Sequence, residues 1–428
     1  MSEQKTYQSA RGVRDILPSD QKYWQYFRRV SEKVLESLGI DRIDLPHFEN
    51  AEIFDRGIGS NTDIVQKELF YLENRDGSDN TRYALRPEFT AGAVRSYIQN
   101  GMGSWPQPVK LYYIGAAFRR ERPQKGRFRE FYQLGMEIFG DDSAKSDYLC
   151  IMSAWEILKK IGLKNIIVYT NSIGCPKCRP KYIAKLKKFY KDKLNNLCPD
   201  CLVRYEKNTL RILDCKEEKC QKISNSAPVF LDALCIDCKN HFQSTLEYLD
   251  YFNISYDLDP RLVRGLDYYS KTVFEICQGS DKSRQGSLGG GGRYDGLVEI
   301  LGGQKTPAVG YSLGVDRIVS AMKEQNISIP ENRGVEVSIL QLGEKAKNAS
   351  KKVYDLLSSE DINVFFVPSN DTLRSQIRQS VKAGAKFAVI IGQKEAFKEE
   401  IILRDLKASA QELIPLQGVG EEIKKRLE

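Results

Sequence analysis

Apolar positions along the chain follow two periods. Over residues 109–140, VKLYYIGAAFRRERPQKGRFREFYQLGMEIFG, they alternate with period 2 on either side of a basic stretch, which predicts strand, loop, strand. In the second strand Tyr132, Leu134, Met136 and Ile138 form an apolar face, and Phe131, Gln133, Gly135 and Glu137 form the other. In the first, Ile114, Ala116 and Phe118 face one way, and Gly115, Ala117 and Arg119 the opposite way. Polar side chains beside small residues suggest a ligand floor, because small residues leave room above a sheet. Steps of three and four residues predict helices elsewhere. Tyr23, Trp24, Phe27, Val30, Val34 and Leu38 mark one over 20–38, ended by Gly39, and Ile151, Ala154, Trp155 and Leu158 mark another over 143–162. Both stripes read most simply as core packing.

Between these elements, IDRIDLPHFE is extended, with Pro46 suiting an edge or a subunit boundary. Tyr83–Arg86 is a strand that runs into a helix with Pro87 in its first turn and Gly101 past its end. Glu88 falls in that turn, where it either complements the helix dipole or waits for a ligand ammonium. IIVYTN (166–171) is a strand, and PAVGYSLGVDRIVSAM (307–322) runs from strand to helix. Arg317, in the first turn of that helix, opposes the dipole, so a bound anion explains it better than stability does. The glycines of SLGGGGRYDGL (287–297) let backbone approach a ligand, but they match neither a phosphate loop nor a dinucleotide fingerprint.

A polar linker at 323–334 precedes a separate α/β unit. There VEVSILQL, INVFFVP, FAVIIG, EEIILRDL and 412–416 are strands, 344–358 and 372–383 are helices, and a last helix closes the chain, which suggests a mostly parallel sheet. Its Arg374, Arg378, Lys382 and Lys386 suit either nucleic acid or a solvated helix face.

With 428 residues, 41% of them hydrophobic and 29% charged, the chain describes a globular protein of two or three domains. No apolar run reaches the ~18 residues of a membrane span. The opening MSEQKTYQSARG lacks a signal-peptide core, so a cytoplasmic protein with no membrane partner is expected. A net charge of +8 suits a polyanionic partner. Much of it gathers between the two strands, where Arg119, Arg120, Arg122, Lys125, Arg127 and Arg129 face only Glu121 and Glu130. The only histidines, His47 and His241, make histidine-based zinc catalysis and a Ser-His-Asp triad poor fits.

Eight of the ten cysteines lie in residues 172–241: Cys175-x2-Cys178, Cys198-x2-Cys201, Cys215-x4-Cys220 and Cys235-x2-Cys238. Thiolates two residues apart can bite one metal ion, and two pairs complete a tetrahedral site. The first two pairs have the spacing of a zinc ribbon and the last four cysteines offer a second set, leaving one or two ions open. Disulfides and a redox dithiol are the alternatives; a reducing cytoplasm weighs against the first and the number of pairs against the second. Between the pairs, 179–197 reads as a basic helix with Tyr182, Leu186, Phe189 and Tyr190 as its stripe, and the whole insert as a small appended module.

Taken together these segments resemble the class II aminoacyl-tRNA synthetases, specifically the histidyl-tRNA synthetase family, over nearly the whole chain. FRRERPQKGRFREFYQLGMEIFG is similar to the second class II motif, PAVGYSLGVDR to the third and the segment around Pro46 to the first. LVRGLDYY and GGGGRYDGL resemble the two histidine-specific signatures, and LRPEFT a further substrate-binding segment, with Phe89 where Gly is more usual. Tyr132 stands where histidine is common. The resemblance implies an α+β fold. Its catalytic domain, residues 1–325, is an antiparallel sheet flanked by helices and interrupted by the cysteine-rich insertion at 172–245; residues 331–428 are an α/β anticodon-binding domain. It also implies two-step ligation of L-histidine to tRNA(His), with ATP as substrate and Mg2+, in a homodimer formed through the first motif. Structural Zn2+ in the insertion would replace the core that so short a module lacks, and such insertions usually approach the acceptor stem.

By the same resemblance Arg264 is the catalytic arginine, against the α-phosphate. Arg119 and Arg317 clamp ATP, Glu121 is the adenine-side or metal-side carboxylate, and Arg127 stabilises substrate or phosphate. Glu88, Thr90 and Gln133 hold the α-ammonium. Glu137 and Tyr269 read the imidazole, and Tyr268 and Tyr294 line the pocket. Arg122, Gln124, Lys125 and Arg129 belong to the loop that meets the tRNA acceptor end. The rival is the synthetase-like regulatory subunit of ATP phosphoribosyltransferase, expected to lack catalytic signatures and an anticodon domain.

Overall fold

The computed structural model describes residues 7–59, 62, 64–73, 81–123, 126–279, 286–330, 334–367 and 372–427. The chain divides into two units, Met1–Ile329 and Pro330–Glu428, within the linker expected at 323–334. Among the described residues no helix is long and apolar enough to cross a membrane.

In the first unit the strands are β1 (Asp41–Arg42), β2 (Phe48–Asn50), β3 (Phe70–Tyr71), β4 (Tyr83–Leu85), β5 (Val109–Phe118), β6 (Glu130–Phe139), β7 (Ile166–Ser172), β8 (Tyr256–Leu258), β9 (Ser270–Gln278), β10 (Ser287–Arg293) and β11 (Ala308–Gly314). The helices are α1 (Pro18–Ser37), α2 (Ala51–Ile58), α3 (Thr90–Gln99), α4 (Ala144–Ile161), α5 (Arg179–Lys191), α6 (Pro199–Lys207), α7 (Glu218–Ser224), α8 (Ile236–Tyr251), α9 (Leu297–Ile300) and α10 (Val315–Glu324). An eight-stranded sheet has the order β1-β5-β6-β11-β10-β9-β7-β8, and a smaller one the order β2-β4-β3. The central strands of the large sheet are antiparallel, and β1 and β8 join its edges in parallel.

The expected strand-loop-strand is β5 and β6, paired from Val109↔Phe139 to Phe118↔Glu130. The apolar face of β6 does what its alternation implies: Leu134, Met136 and Ile138 pack into one core with Phe27 and Leu35 of α1, Ile151 and Leu158 of α4, and Ile318 and Met322 of α10. With three helices on this face, the opposite face is left for a ligand. The loop base is pinned from elsewhere: the Arg120 N–H donates to the Glu68 carbonyl at 2.7 Å and the Arg129 N–H to the Gly12 carbonyl at 2.7 Å. Arg14 of the same N-terminal arm pairs with Asp316 at 2.8 Å and covers the Phe128 ring at 4.0 Å.

One boundary differs from expectation. Helix α3 begins at Thr90, so Pro87 and Glu88 precede it rather than form its first turn. Residue 245, the expected end of the insertion, lies within α8, which runs on to Tyr251. Helix α8 carries Cys238 near its start, while Tyr248 stacks on Tyr148 of α4 at 5.4 Å, so one rigid helix belongs to both insert and catalytic core.

In the second unit β12 (Val337–Gln341), β13 (Val364–Phe366), β14 (Phe387–Ile391), β15 (Glu400–Asp405) and β16 (Gln411–Pro415) alternate with α11 (Lys347–Ser359), α12 (Leu373–Lys382), α13 (Gln393–Lys398) and α14 (Val419–Leu427). The sheet order is β13-β12-β14-β15-β16. Only β13, β12 and β14 run parallel; β15 pairs antiparallel with both neighbours, which corrects the expectation of a mostly parallel sheet. The links into and out of β15 are shorter than the dozen or so residues a parallel crossover takes. The second is an Asp405 turn accepting from the Lys407 and Ala408 N–H groups. Val337, Ile339, Val353, Leu357, Val389 and Ile423 form its core, while Arg374, Arg378, Lys382 and Lys386 are all exposed.

Candidate active site

The ligand face of the sheet is cleared by glycines. Gln133 lies opposite Gly115 and Gly314, and Glu137 opposite Leu111 and Gly310. A Cβ on Gly310 would overlap the Glu137 carboxylate, and one on Gly135 would overlap the Tyr113 ring. Glu137 is fully buried and accepts hydrogen bonds from Thr90 Oγ1 at 2.8 Å, the Tyr113 hydroxyl at 2.8 Å and the Tyr294 hydroxyl at 2.5 Å. Burial pushes its carboxyl up to about 8, against the pull of the three donors. Glu88 accepts from the Thr90 and Ala91 N–H groups at 2.7 and 2.9 Å, and burial raises it as well. Thr90 therefore links the two carboxyl groups, its amide on Glu88 and its hydroxyl on Glu137. Tyr268 and Tyr269 stand 4.6 Å apart, and Tyr268 meets Tyr294 edge-on at 5.6 Å.

Phe89 is buried between the Tyr113 ring, stacked at 4.4 Å, and the Arg86 guanidinium at 4.0 Å. It supports Tyr113, a residue that sequence reasoning left out of the site. The available signal was parity: Tyr113 shares its face with Gly115 and Ala117. Tyr132 belongs to the other face, where its ring meets Trp24 at 5.2 Å.

The other end of the floor is cationic. Arg119 donates through Nε to the Pro87 carbonyl at 3.0 Å and lies 5.1 Å from the Phe131 ring centre. Arg127 pairs with Glu121 at 3.1 Å. Arg317 donates to the Ser287 carbonyl at 2.8 Å, and burial followed by repulsion from Arg127 lowers it, with Arg119 adding to that repulsion. Lys216 of the insertion is lowered by burial and by Arg127 and Arg317, which places it in the same field without any local signal in the sequence. Arg264 lies 5.7 Å from the Tyr269 ring centre, and a Cβ on Gly290 would come within 2.8 Å of its Nη1. Burial lowers Arg264, but the facing Tyr269 and Glu275 outweigh it and leave the guanidinium raised. Arg264 Nε and Gln133 Oε1 are buried without a hydrogen-bond partner among the described residues. A ligand on the floor would satisfy both groups.

Of the residues expected at the tRNA end, Arg122 is exposed, whereas Arg129 is tied to the Glu121 and Arg11 carbonyls at 3.4 and 3.3 Å. Gln124 and Lys125 lie outside the described residues.

The eight insertion cysteines form two quartets, but not the expected ones. Cys175 and Cys178 join Cys235 and Cys238, while Cys198 and Cys201 join Cys215 and Cys220. The first pair thus skips the second and closes on the last, because α5 and α8 bring their N-terminal ends together. Sulfur separations are 3.8 Å for Cys175–Cys178 and Cys175–Cys235, 3.9 Å for Cys178–Cys238 and 3.7 Å for Cys198–Cys215. Four thiolates at ~2.3 Å from a tetrahedral ion lie ~3.8 Å apart, so the donors fit zinc. All of these cysteines are free thiols. Burial raises Cys175, yet backbone N–H groups and neighbouring thiols outweigh it and bring it down to about 7, close to the thiolate a metal requires.

The family model described as histidyl-tRNA synthetase matches residues 12–177 and 202–318. The chain belongs to the histidyl-tRNA synthetase family. The break in the match, residues 178–201, falls inside the cysteine-rich insertion, and the match resumes before Cys215. A second family model, the anticodon binding domain, matches residues 336–426. The chain is 42% identical over 416 residues to the histidine--tRNA ligase of Desulforamulus reducens, covering 97% of this chain and 98% of that one. It is 41% identical over 417 residues to the histidine--tRNA ligase of Pelotomaculum thermopropionicum, covering 97% of each. The crystal structure of apo S. aureus histidyl-tRNA synthetase superposes with a TM-score of 0.80 at 29% identity, covering 98% of this chain and 100% of that one.

Proposed function

We propose that the chain ligates L-histidine to tRNA(His), first forming histidyl-adenylate and pyrophosphate from histidine and ATP, then passing the histidyl group to the tRNA. The observation that carries this reading is the division of one glycine-cleared floor. Carboxyl and phenol groups stand at one end (Glu88, Glu137, Tyr113, Tyr294) and arginines at the other (Arg119, Arg127, Arg264, Arg317). Histidine brings an α-ammonium and a ring with a nitrogen on either side, and its reaction partner is a polyphosphate.

In the first step a carboxylate attacks an α-phosphate while both are anionic. Arg264 offsets that repulsion and holds the developing charge, since it stays ionised and forks onto two oxygens. Arg119 and Arg317 clamp ATP, and Arg127 stabilises the phosphate or substrate. Glu121 faces either adenine or the Mg2+ that neutralises phosphate charge. Glu88, Thr90 and Gln133 hold the α-ammonium. Glu137 and Tyr269 engage the imidazole nitrogens, with Tyr268 and Tyr294 as walls. An analogue lacking those nitrogens strands buried polar groups, which supports strong discrimination. The loop with Arg122, Gln124, Lys125 and Arg129 receives the acceptor end, and the two cysteine quartets hold structural zinc. A homodimer and a cytoplasmic location complete the reading.

Histidine-dependent exchange between pyrophosphate and ATP, measured across all twenty amino acids, is the test. Exchange with histidine alone is expected. Histidine binding without exchange would overturn the enzyme reading in favour of a regulatory binding protein.

A further inference from the structure

The segment carrying Arg264, Tyr268 and Tyr269 lies between β8 and β9 with no helix or strand of its own. Three side chains of the insertion reach it. Arg179, directly after Cys178, donates through Nη2 to the Tyr269 carbonyl at 2.5 Å. The same guanidinium also bonds the Ile173 and Gly174 carbonyls, each at 3.2 Å. Arg211, between Cys201 and Cys215, donates to the Arg264 carbonyl at 3.4 Å. Asn208, on the same arm, donates to Asp267 Oδ1 at 2.7 Å. A side chain on Gly265 would come within 3.1 Å of Arg211 Nη1, so the backbone there is kept bare for the contact.

We propose that the insertion is a positioning device for the adenylation site, with Arg179 of the first thiolate quartet setting Tyr269 and Arg211 of the second setting Arg264. The inference rests on the synthetase reading above and deepens it. Each arginine grips a backbone carbonyl of the residue it positions, so the reacting side chain remains free for substrate. Arg179 opens α5 directly after Cys178, and Arg211 lies in a single 3-10 turn, Thr209–Ile212, between α6 and α7, whose surroundings include the four buried cysteines of the second quartet. Metal held by the quartets thereby fixes the arginines and, through them, the two groups that meet imidazole and phosphate. An ångström of displacement at such groups suffices to lower rates about a hundredfold.

The test uses the full-length, zinc-loaded chain and the variants Arg179→Met and Arg211→Met, with exposed Lys185→Ala as control. Pyrophosphate exchange is normalised to active sites, and zinc content is measured on the same samples. With zinc retained, Arg179→Met should raise the histidine KM about tenfold at near-parental kcat, and Arg211→Met should lower kcat about tenfold at near-parental KM. The lysine variants, which keep the charge and one donor, should recover part of each loss. Should a methionine variant lose zinc, its lysine counterpart carries the same criterion. Kinetics within twofold of the parent in both positions overturn the inference, as does a matched fall in kcat with no separation between KM and kcat. A parent enzyme without histidine-dependent exchange overturns the synthetase reading itself, which is a different and recognisable result.

Discussion

Glu137, which we propose reads the imidazole, is a fully buried carboxyl. Its folded-state carboxyl sits near about 8, against an ordinary 4.5. Between those values the unfolded chain has released the proton and the folded chain has kept it. Stability therefore falls as pH rises through that window and levels off above it. Glu137→Gln cannot ionise, so its thermal stability relative to the parent should climb between about pH 5 and pH 8. Parallel curves would remove burial as the cause. Arg264 makes a complementary prediction. Arg264→Ala should slow exchange about a hundredfold or more while changing histidine KM little, since its charge matters most as the phosphate develops its own. A loss confined to KM would contradict the assignment. Both residues were legible in the sequence, Glu137 from alternation and Arg264 from its motif. Tyr113 was not singled out, although it shares the face of Gly115, because an apolar run hides which aromatic hydroxyl finds a buried partner.

Between elements, one tie is buried and electrostatic. Arg293, at the end of β10, is fully buried; it reaches Asp147 of α4 through Nε at 2.9 Å and the Ser143 carbonyl at 3.0 Å. Burial raises Asp147, but Arg293 and His241 of α8 overcome this and bring it down to about 2. The next residue, Tyr294, is thereby fixed for its bond to Glu137. Arg293→Ala strands a buried charge and should cost about 3–5 kcal/mol, read from denaturant unfolding. The quartets give a second prediction. Cys175→Ser and Cys235→Ser should each lose the same half of the bound zinc, and combining them should lose no more. Combining Cys175→Ser with Cys198→Ser should lose all of it. Additive loss from Cys175→Ser and Cys235→Ser would overturn the interleaved pairing. Spacing revealed the x2 bites because two thiols one helical turn apart are a local fact. Which bite closes on which depends on where α5 and α8 start.

For the molecule as a whole, the break between Ile329 and Pro330 separates the unit that matches the histidyl-tRNA synthetase model from the unit that matches an anticodon binding domain. A shortened chain, residues 1–329, should keep histidine-dependent exchange and lose most tRNA charging; loss of both would place residues 330–428 in the folding of the first unit. The local patterns already contained the strands, most helices, the split of β6 into two faces, the linker and the thiol pairs, since these follow from periodicity and from chemistry borne by single residues. The start of α3, the reach of α8 and the antiparallel half of the second sheet came from packing and connection length. So did the electrostatic field Lys216 shares with the arginines, the partners of each thiolate pair and the grip of Arg179 and Arg211. A sequence states what each residue can do, whereas these features depend on distances between segments remote in the chain, which exist only after the sheet order has set them side by side.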